Sequence, residues 1–278
     1  MNCFQAIWYR AQNLFLGNTN YIRKLMKSLH FKKYNISENI VLSIIELNQF
    51  SDIREIIDEK FVVICEGRSG SDLETVKKRV CNLFKTKDKK WIRGAVAEFF
   101  VHLYLNILGL KQECLFLNLE ENSIKKGFDG FYSDKEKNGW IMESKSGSVS
   151  SKSISHTGKV LEAMHDLENK VSGKDQAINP WRNAYSHASH IDVGCAATIR
   201  KKLKKLSDDY TNGVYYQIDD FNTVPCGTIY LQGVWCLYPH DEILKNIEIN
   251  KCKLKGRHIH VICVTNKTSA DFVDYISS

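Results

Sequence analysis

Proline and glycine are scarce in this chain, 3 and 16 of 278 residues, while 43% of residues are apolar. That balance excludes a low-complexity or disordered chain and leaves enough material for a real core. No run of about twenty apolar residues occurs, so no membrane-spanning helix is expected. Met1 to Arg10 shows no basic segment followed by a clean apolar stretch, and no signal peptide is read. The nine cysteines are scattered, odd in number and free of any Cys-x-x-Cys. They support neither a disulfide framework nor a zinc site, and read as small buried hydrophobes in a reducing cytoplasm. Gly67-Arg-Ser-Gly-Ser71 lacks the Gly-Lys-Ser/Thr ending of a phosphate-binding loop. Helix-turn-helix, zinc-finger and RNA-binding signatures are absent as well, so sequence-specific recognition is not expected.

What is present is positive charge in groups. The net charge of +7 is modest, but Lys85 to Arg93, the pair Lys125 and Lys126, and Arg200 to Lys205 are dense basic runs. Such clusters neutralise phosphates and release their counterions, although a basic run is also an ordinary solvated helix face. Trp91 and Trp181 stand beside basic residues, where stacking on bases competes with burial in a core.

Two of the basic runs flank the most informative segment. Gly127-Phe-Asp-Gly-Phe-Tyr132 is followed by a polar turn and then Trp140-Ile-Met-Glu-Ser-Lys145. Side chains alternate along a strand, so Glu143 and Lys145 share a face with Ile141, and Trp140, Met142 and Ser144 take the other. The linker Ser133 to Gly139 has hairpin composition, and a turn centred near Glu136 sets Asp129 opposite Glu143. Two carboxylates and an amine then converge. Carboxylates held close repel unless a cation lies between them, and hard oxygen ligands suit Mg²⁺ or Mn²⁺. Upstream, Arg93 to Gly109 reads as an apolar helix with one polar stripe of Glu98, His102 and Asn106, stopped by Gly109. Taken singly, an Asp before Gly is commonly a turn residue and Glu-x-Lys a solvated pair. The conjunction, in this order, carries the argument.

This order resembles the PD-(D/E)xK nuclease superfamily, with Phe128 standing where the family's proline often is. The resemblance implies a restriction-endonuclease-like α/β core, a central mixed β-sheet flanked by helices, over 85–278, with a mainly helical addition over 1–84. It implies that Asp129, Glu143 and the Ser144 carbonyl hold Mg²⁺ or Mn²⁺, that Lys145 positions the attacking water, and that Glu98 holds a second metal or a bridging water. DNA is the implied substrate, with Lys89, Lys90, Arg93, Lys125, Lys126 and Lys152 on its phosphates. Over residues 91 to 172 the motifs are also similar to the small nuclease subunit of the Hachiman anti-phage systems, which works with a helicase; Ser146-Gly147 departs from the aromatic residues usual there. A cytoplasmic defence nuclease is the expectation. A non-catalytic adaptor and a stand-alone restriction endonuclease remain open.

Elsewhere the patterns predict helix over 4–34, a strand at Phe61 to Cys65, and a helix to Phe84 capped by Ser71 or Asp72. They predict a helix over 157–172, a bulged strand over Gly227 to Tyr238, a strand over Arg257 to Thr265 with His258 and His260 on an exposed face, and a short terminal helix.

Overall fold

The computed structural model of the chain describes residues 31–118, 123–124, 127–174, 178–236 and 238–278. Four parallel strands form the centre of one sheet, and three of them, Ile40–Leu47, Asn222–Tyr230 and Ile259–Asn266, are buried on both faces under helical layers. The strands are β1 (Phe31–Asn35), β2 (Ile40–Leu47), β3 (Lys111–Gln112), β4 (Leu117–Asn118), β5 (Ser123–Ile124), β6 (Gly130–Ser133), β7 (Gly139–Ser148), β8 (Asn222–Tyr230) and β9 (Ile259–Asn266). Seven of them make a mixed sheet in the order β1-β2-β9-β8-β7-β6-β3, and β4 pairs with β5 separately. β2, β9, β8 and β7 run parallel, while β1 at one edge and β6 and β3 at the other are antiparallel to their neighbours.

The helices are α1 (Arg54–Glu66), α2 (Leu73–Lys85), α3 (Lys89–Ile107), α4 (His156–Val171), α5 (Pro180–Ala188), α6 (Ala197–Thr211), α7 (His240–Asn250) and α8 (Ala270–Ser277). Alternation along the strands divides the core. Trp140, Met142, Val224, Cys226, Ile262 and Val264 pack with α1, α2, α3 and α8 on one face. Ile141, Val261 and Cys263 pack with α4, α5, α6 and α7 on the other. The chain is therefore an α/β protein with a seven-stranded mixed sheet between helical layers. Among the described residues, no helix is long and apolar enough to cross a membrane.

Several local expectations change. Residues 1–30, most of the helix expected over 4–34, lie outside the described residues, and 31–35 is edge strand β1. β1 and β2 belong to the same sheet as the strands after residue 85, so the region before 85 is not simply a helical addition. Phe61 to Cys65 is the second half of α1, whose buried residues Ile56, Ile57, Phe61, Ile64 and Cys65 follow helical spacing that the short apolar run conceals. β8 ends at Tyr230, and Gln232 and Gly233, both at positive φ, form a turn instead of a bulge within a strand. His260 is buried on a central strand, where Ser43 Oγ lies 2.9 Å from its Nε2 and Tyr104 donates its hydroxyl to Ser43. The imidazole is satisfied by hydrogen bonds, and burial holds it neutral, its pKa lowered to about 3.

Candidate active site

The β6–β7 hairpin is set by Asp134. Its carboxylate accepts from the backbone N–H groups of Glu136 and Asn138 at 3.0 and 2.9 Å, and from Trp140 Nε1 at 3.2 Å. An Asx turn of this kind fixes hairpin register, and a one-residue slip sends every side chain to the wrong face. Gly130 pairs with Met142 and Ser133 with Gly139. Asp129, one residue before β6, therefore sits opposite Glu143, and its Oδ2 accepts from the Ser144 N–H at 2.8 Å. Glu143 and Lys145 share the face of Ile141, as alternation requires, and Lys145 Nζ is 3.1 Å from Glu143 Oε1.

Across from β7 lies α4, whose first turn is capped by Ser155 accepting from the Gly158 N–H. It comes close to the sheet because Gly227 has no side chain: a Cβ there would lie 2.6 Å from the His156 carbonyl oxygen. That docking brings Asp166 and Lys170, one helical turn apart, onto Lys145 and Glu143 of the hairpin. Asp166 Oδ2 is 2.5 Å from Lys145 Nζ. Lys170 Nζ is 2.5 Å from Glu143 Oε2 and donates to the Gly127 carbonyl at 2.7 Å. Gly127 itself needs φ +95 and packs against Pro180 and Asn183 of α5.

Glu98 enters from α3, which is capped by Asp88 accepting from the Trp91 N–H at 2.8 Å. It is 7% exposed and its Oε1 lies 3.3 Å from His102 Nε2, while His102 Nδ1 meets the Tyr132 hydroxyl of β6. Glu98 and His102 of this stripe are thus buried and tie α3 to the hairpin through Tyr132. Glu98, Asp129, Glu143, Ser144 and Lys145 line one cleft of about 490 Å³, together with the cap residue Asp88 and Lys90, Trp91, Gly94 and Ala95 from the first half of α3.

Charge in the cleft is strongly perturbed. Glu143 is 2% exposed, and its carboxyl is pushed up to about 7 by burial and then by the Asp129 carboxylate, with Lys170 and Lys145 pulling the other way. For Lys145, burial acts downward, but Glu143, Asp166 and Asp129 more than offset it, so the ammonium form is favoured. Repulsion between Asp129 and Glu143 is what a cation relieves, and their oxygens are hard donors, so this pair fits a divalent ion. Among the described residues no group of three or more His, Cys, Asp and Glu side chains is arranged to hold a metal. An ion here would rest on two carboxylates, a backbone carbonyl and water, with Glu98 on the opposite wall.

Of the other expected nucleic-acid contacts, Lys90 lines the cleft, and exposed Lys89 and half-buried Arg93 belong to the same end of α3. Lys152 is exposed in the β7–α4 loop and does not line the cleft. Lys125 and Lys126 lie outside the described residues. Arg200 to Lys205 are on α6, where Lys204 and Lys205 pair with Asp208 and Asp209 one turn on. Trp181 is wholly buried between Phe128 and Phe221 and is unavailable for stacking. The sequence patterns do not single out Asp166 and Lys170. Their signal is a charged i, i+4 pair set beside the buried stripe of Ala163, Leu167 and Val171 on α4.

No protein-family model matches this chain, and no curated protein shows a significant match to it.

Proposed function

We propose that the chain is a metal-dependent nuclease that hydrolyses phosphodiester bonds of DNA. The observation that carries this reading is the convergence of Asp129, Glu143 and Lys145 in one cleft, with Asp129 clamped to the Ser144 N–H and Glu143 paired with Lys145. The order around it adds support: the Glu98 helix, then antiparallel β3, β6 and β7, then α4 and the parallel strand β8, agrees with what the motif resemblance leads one to expect of a restriction-endonuclease-like core.

Asp129 and Glu143, with the Ser144 carbonyl, would hold Mg²⁺ or Mn²⁺. Such an ion supplies a lowered water pKa and neutralises the charge that develops on a phosphoryl oxygen. Lys145, kept as an ammonium by the surrounding carboxylates, orients the attacking water and faces the phosphate; it is not the base. Asp166 pairs with the Lys145 side chain, and Glu98, on the α3 wall of the cleft, would hold a second metal or a bridging water. Lys90 and its neighbours at the start of α3 attract the nucleic-acid backbone. The role of effector in an anti-phage system with a helicase partner extends this reading from the motif resemblance, and co-purification of a helicase from the native host tests it.

The double variant Glu143→Ala with Lys145→Ala should stay folded and lose cleavage of plasmid DNA in Mg²⁺ or Mn²⁺; undiminished cleavage removes the site. One observation favours a second reading, a non-catalytic nucleic-acid-binding adaptor: both Glu143 oxygens already carry lysine ammonium groups. Calorimetry separates the two, because an adaptor shows no Mn²⁺ binding that Asp129→Ala abolishes.

A further inference from the structure

Lys170 is a second cation on the Glu143 carboxylate, and nothing in the hairpin motif calls for it. Its ammonium lies 2.5 Å from Glu143 Oε2 and 2.7 Å from the Gly127 carbonyl oxygen, the residue two positions before Asp129. It comes from α4, on the turn after Asp166. The two lysines on Glu143 are not equivalent. Lys145 has a second carboxylate, Asp166, at 2.5 Å, whereas the further contact of Lys170 is a neutral carbonyl. A divalent ion approaching Glu143 therefore leaves Lys145 with a partner and sets Lys170 against a like charge on the oxygen it occupies. The Lys170 side chain is also 18% exposed, at the rim of the buried carboxylate, on a flexible four-carbon stem that can swing into water.

We infer that Lys170 is the resident counter-ion of Glu143, displaced when a divalent cation binds, and that this α4 residue thereby sets the metal affinity of the site. The inference rests on the proposed metal site and assigns Lys170 as a positioning residue that acts through Glu143. At rest, the ammonium offsets the repulsion between Asp129 and Glu143 that would otherwise pull a cation in. The same contact to Gly127 holds the chain just before Asp129 in place, so the hairpin is shaped for an ion before one arrives.

The test is Mn²⁺ titration by calorimetry of the purified full chain, of Lys170→Met and of Asp129→Asn, beside amine labelling of the wild-type chain. Lys170→Met should bind Mn²⁺ tenfold or more tightly than wild type, at a site that Asp129→Asn abolishes. In wild type, Mn²⁺ should raise the rate of Lys170 acetylation by an N-hydroxysuccinimide ester several-fold, read by mass spectrometry, because the displaced amine enters solvent. Equal or weaker Mn²⁺ binding in the variant overturns the inference, as does a labelling rate that Mn²⁺ leaves unchanged or lowers. Should Lys170→Met not fold, the labelling of the intact chain decides alone. Wild-type binding that depends on Asp129 but not on Lys170 removes only the role of Lys170, while absence of Asp129-dependent binding in both chains removes the metal site and this inference together.

Discussion

Replacing Glu143 with glutamine removes a carboxylate that the fold holds against its own preference. Its pKa is about 7 in the folded chain, against an ordinary value of 4.5, because burial and Asp129 disfavour the anion more than Lys170 and Lys145 favour it. Between pH 4.5 and about 7 the folded chain binds a proton that the unfolded chain has lost. Stability therefore falls as pH rises through that window, and above it the full cost is on the order of 3 kcal/mol. Glutamine is nearly isosteric and never ionises. Glu143→Gln should match wild type near pH 4.5 and exceed it by about 3 kcal/mol at pH 8, with the gap opening between those values. Urea unfolding at a series of pH values with a chelator present, followed by circular dichroism, gives the comparison. Saturating Mn²⁺ should close the gap, since an ion binding only the folded wild type contributes about 2.7 kcal/mol at a hundred times its Kd. A difference that does not vary with pH, or a variant less stable than wild type at pH 8, refutes the reasoning.

Two further substitutions test how the site is built. Gly227→Ala places a Cβ 2.6 Å from the His156 carbonyl oxygen and must lift α4 from the sheet; calorimetry should show a loss of about 3 kcal/mol, a fall in Tm of roughly 5 °C. Asp134→Ala releases the Glu136 and Asn138 N–H groups that set the hairpin register. It should cost about 1–2 kcal/mol in urea unfolding, with increased hydrogen exchange across Gly130 to Met142.

The hairpin was legible because its information is local: alternation and a polar turn suffice to set Asp129 opposite Glu143, and the observed register has that turn. Helix limits given by caps were equally readable, as with Asp72 accepting from the Thr75 N–H before α2. What could not be read depends on partners distant in the chain. His260 looks like the polar side of an edge strand until β2 and α3 bring Ser43 and Tyr104 to it. Lys170 looks like a solvated helix residue until Gly227 lets α4 approach β7. α5 is masked by the Gly, Asn and His residues around it, although Asn179 before Pro180 is a helix start by residue type, and Asn179 does cap it. β1 and β2 escaped because strand order, with β2 beside β9, is a property of the whole sheet.

The central claim is that Asp129 and Glu143 share one divalent ion. Crystals grown with Mn²⁺ and measured at a wavelength that gives anomalous scattering from manganese test it directly. A single strong peak within about 2.2 Å of a carboxylate oxygen of each residue, absent from Asp129→Asn crystals, is the result expected. Manganese bound elsewhere, or no peak between these two side chains at saturating Mn²⁺, contradicts it.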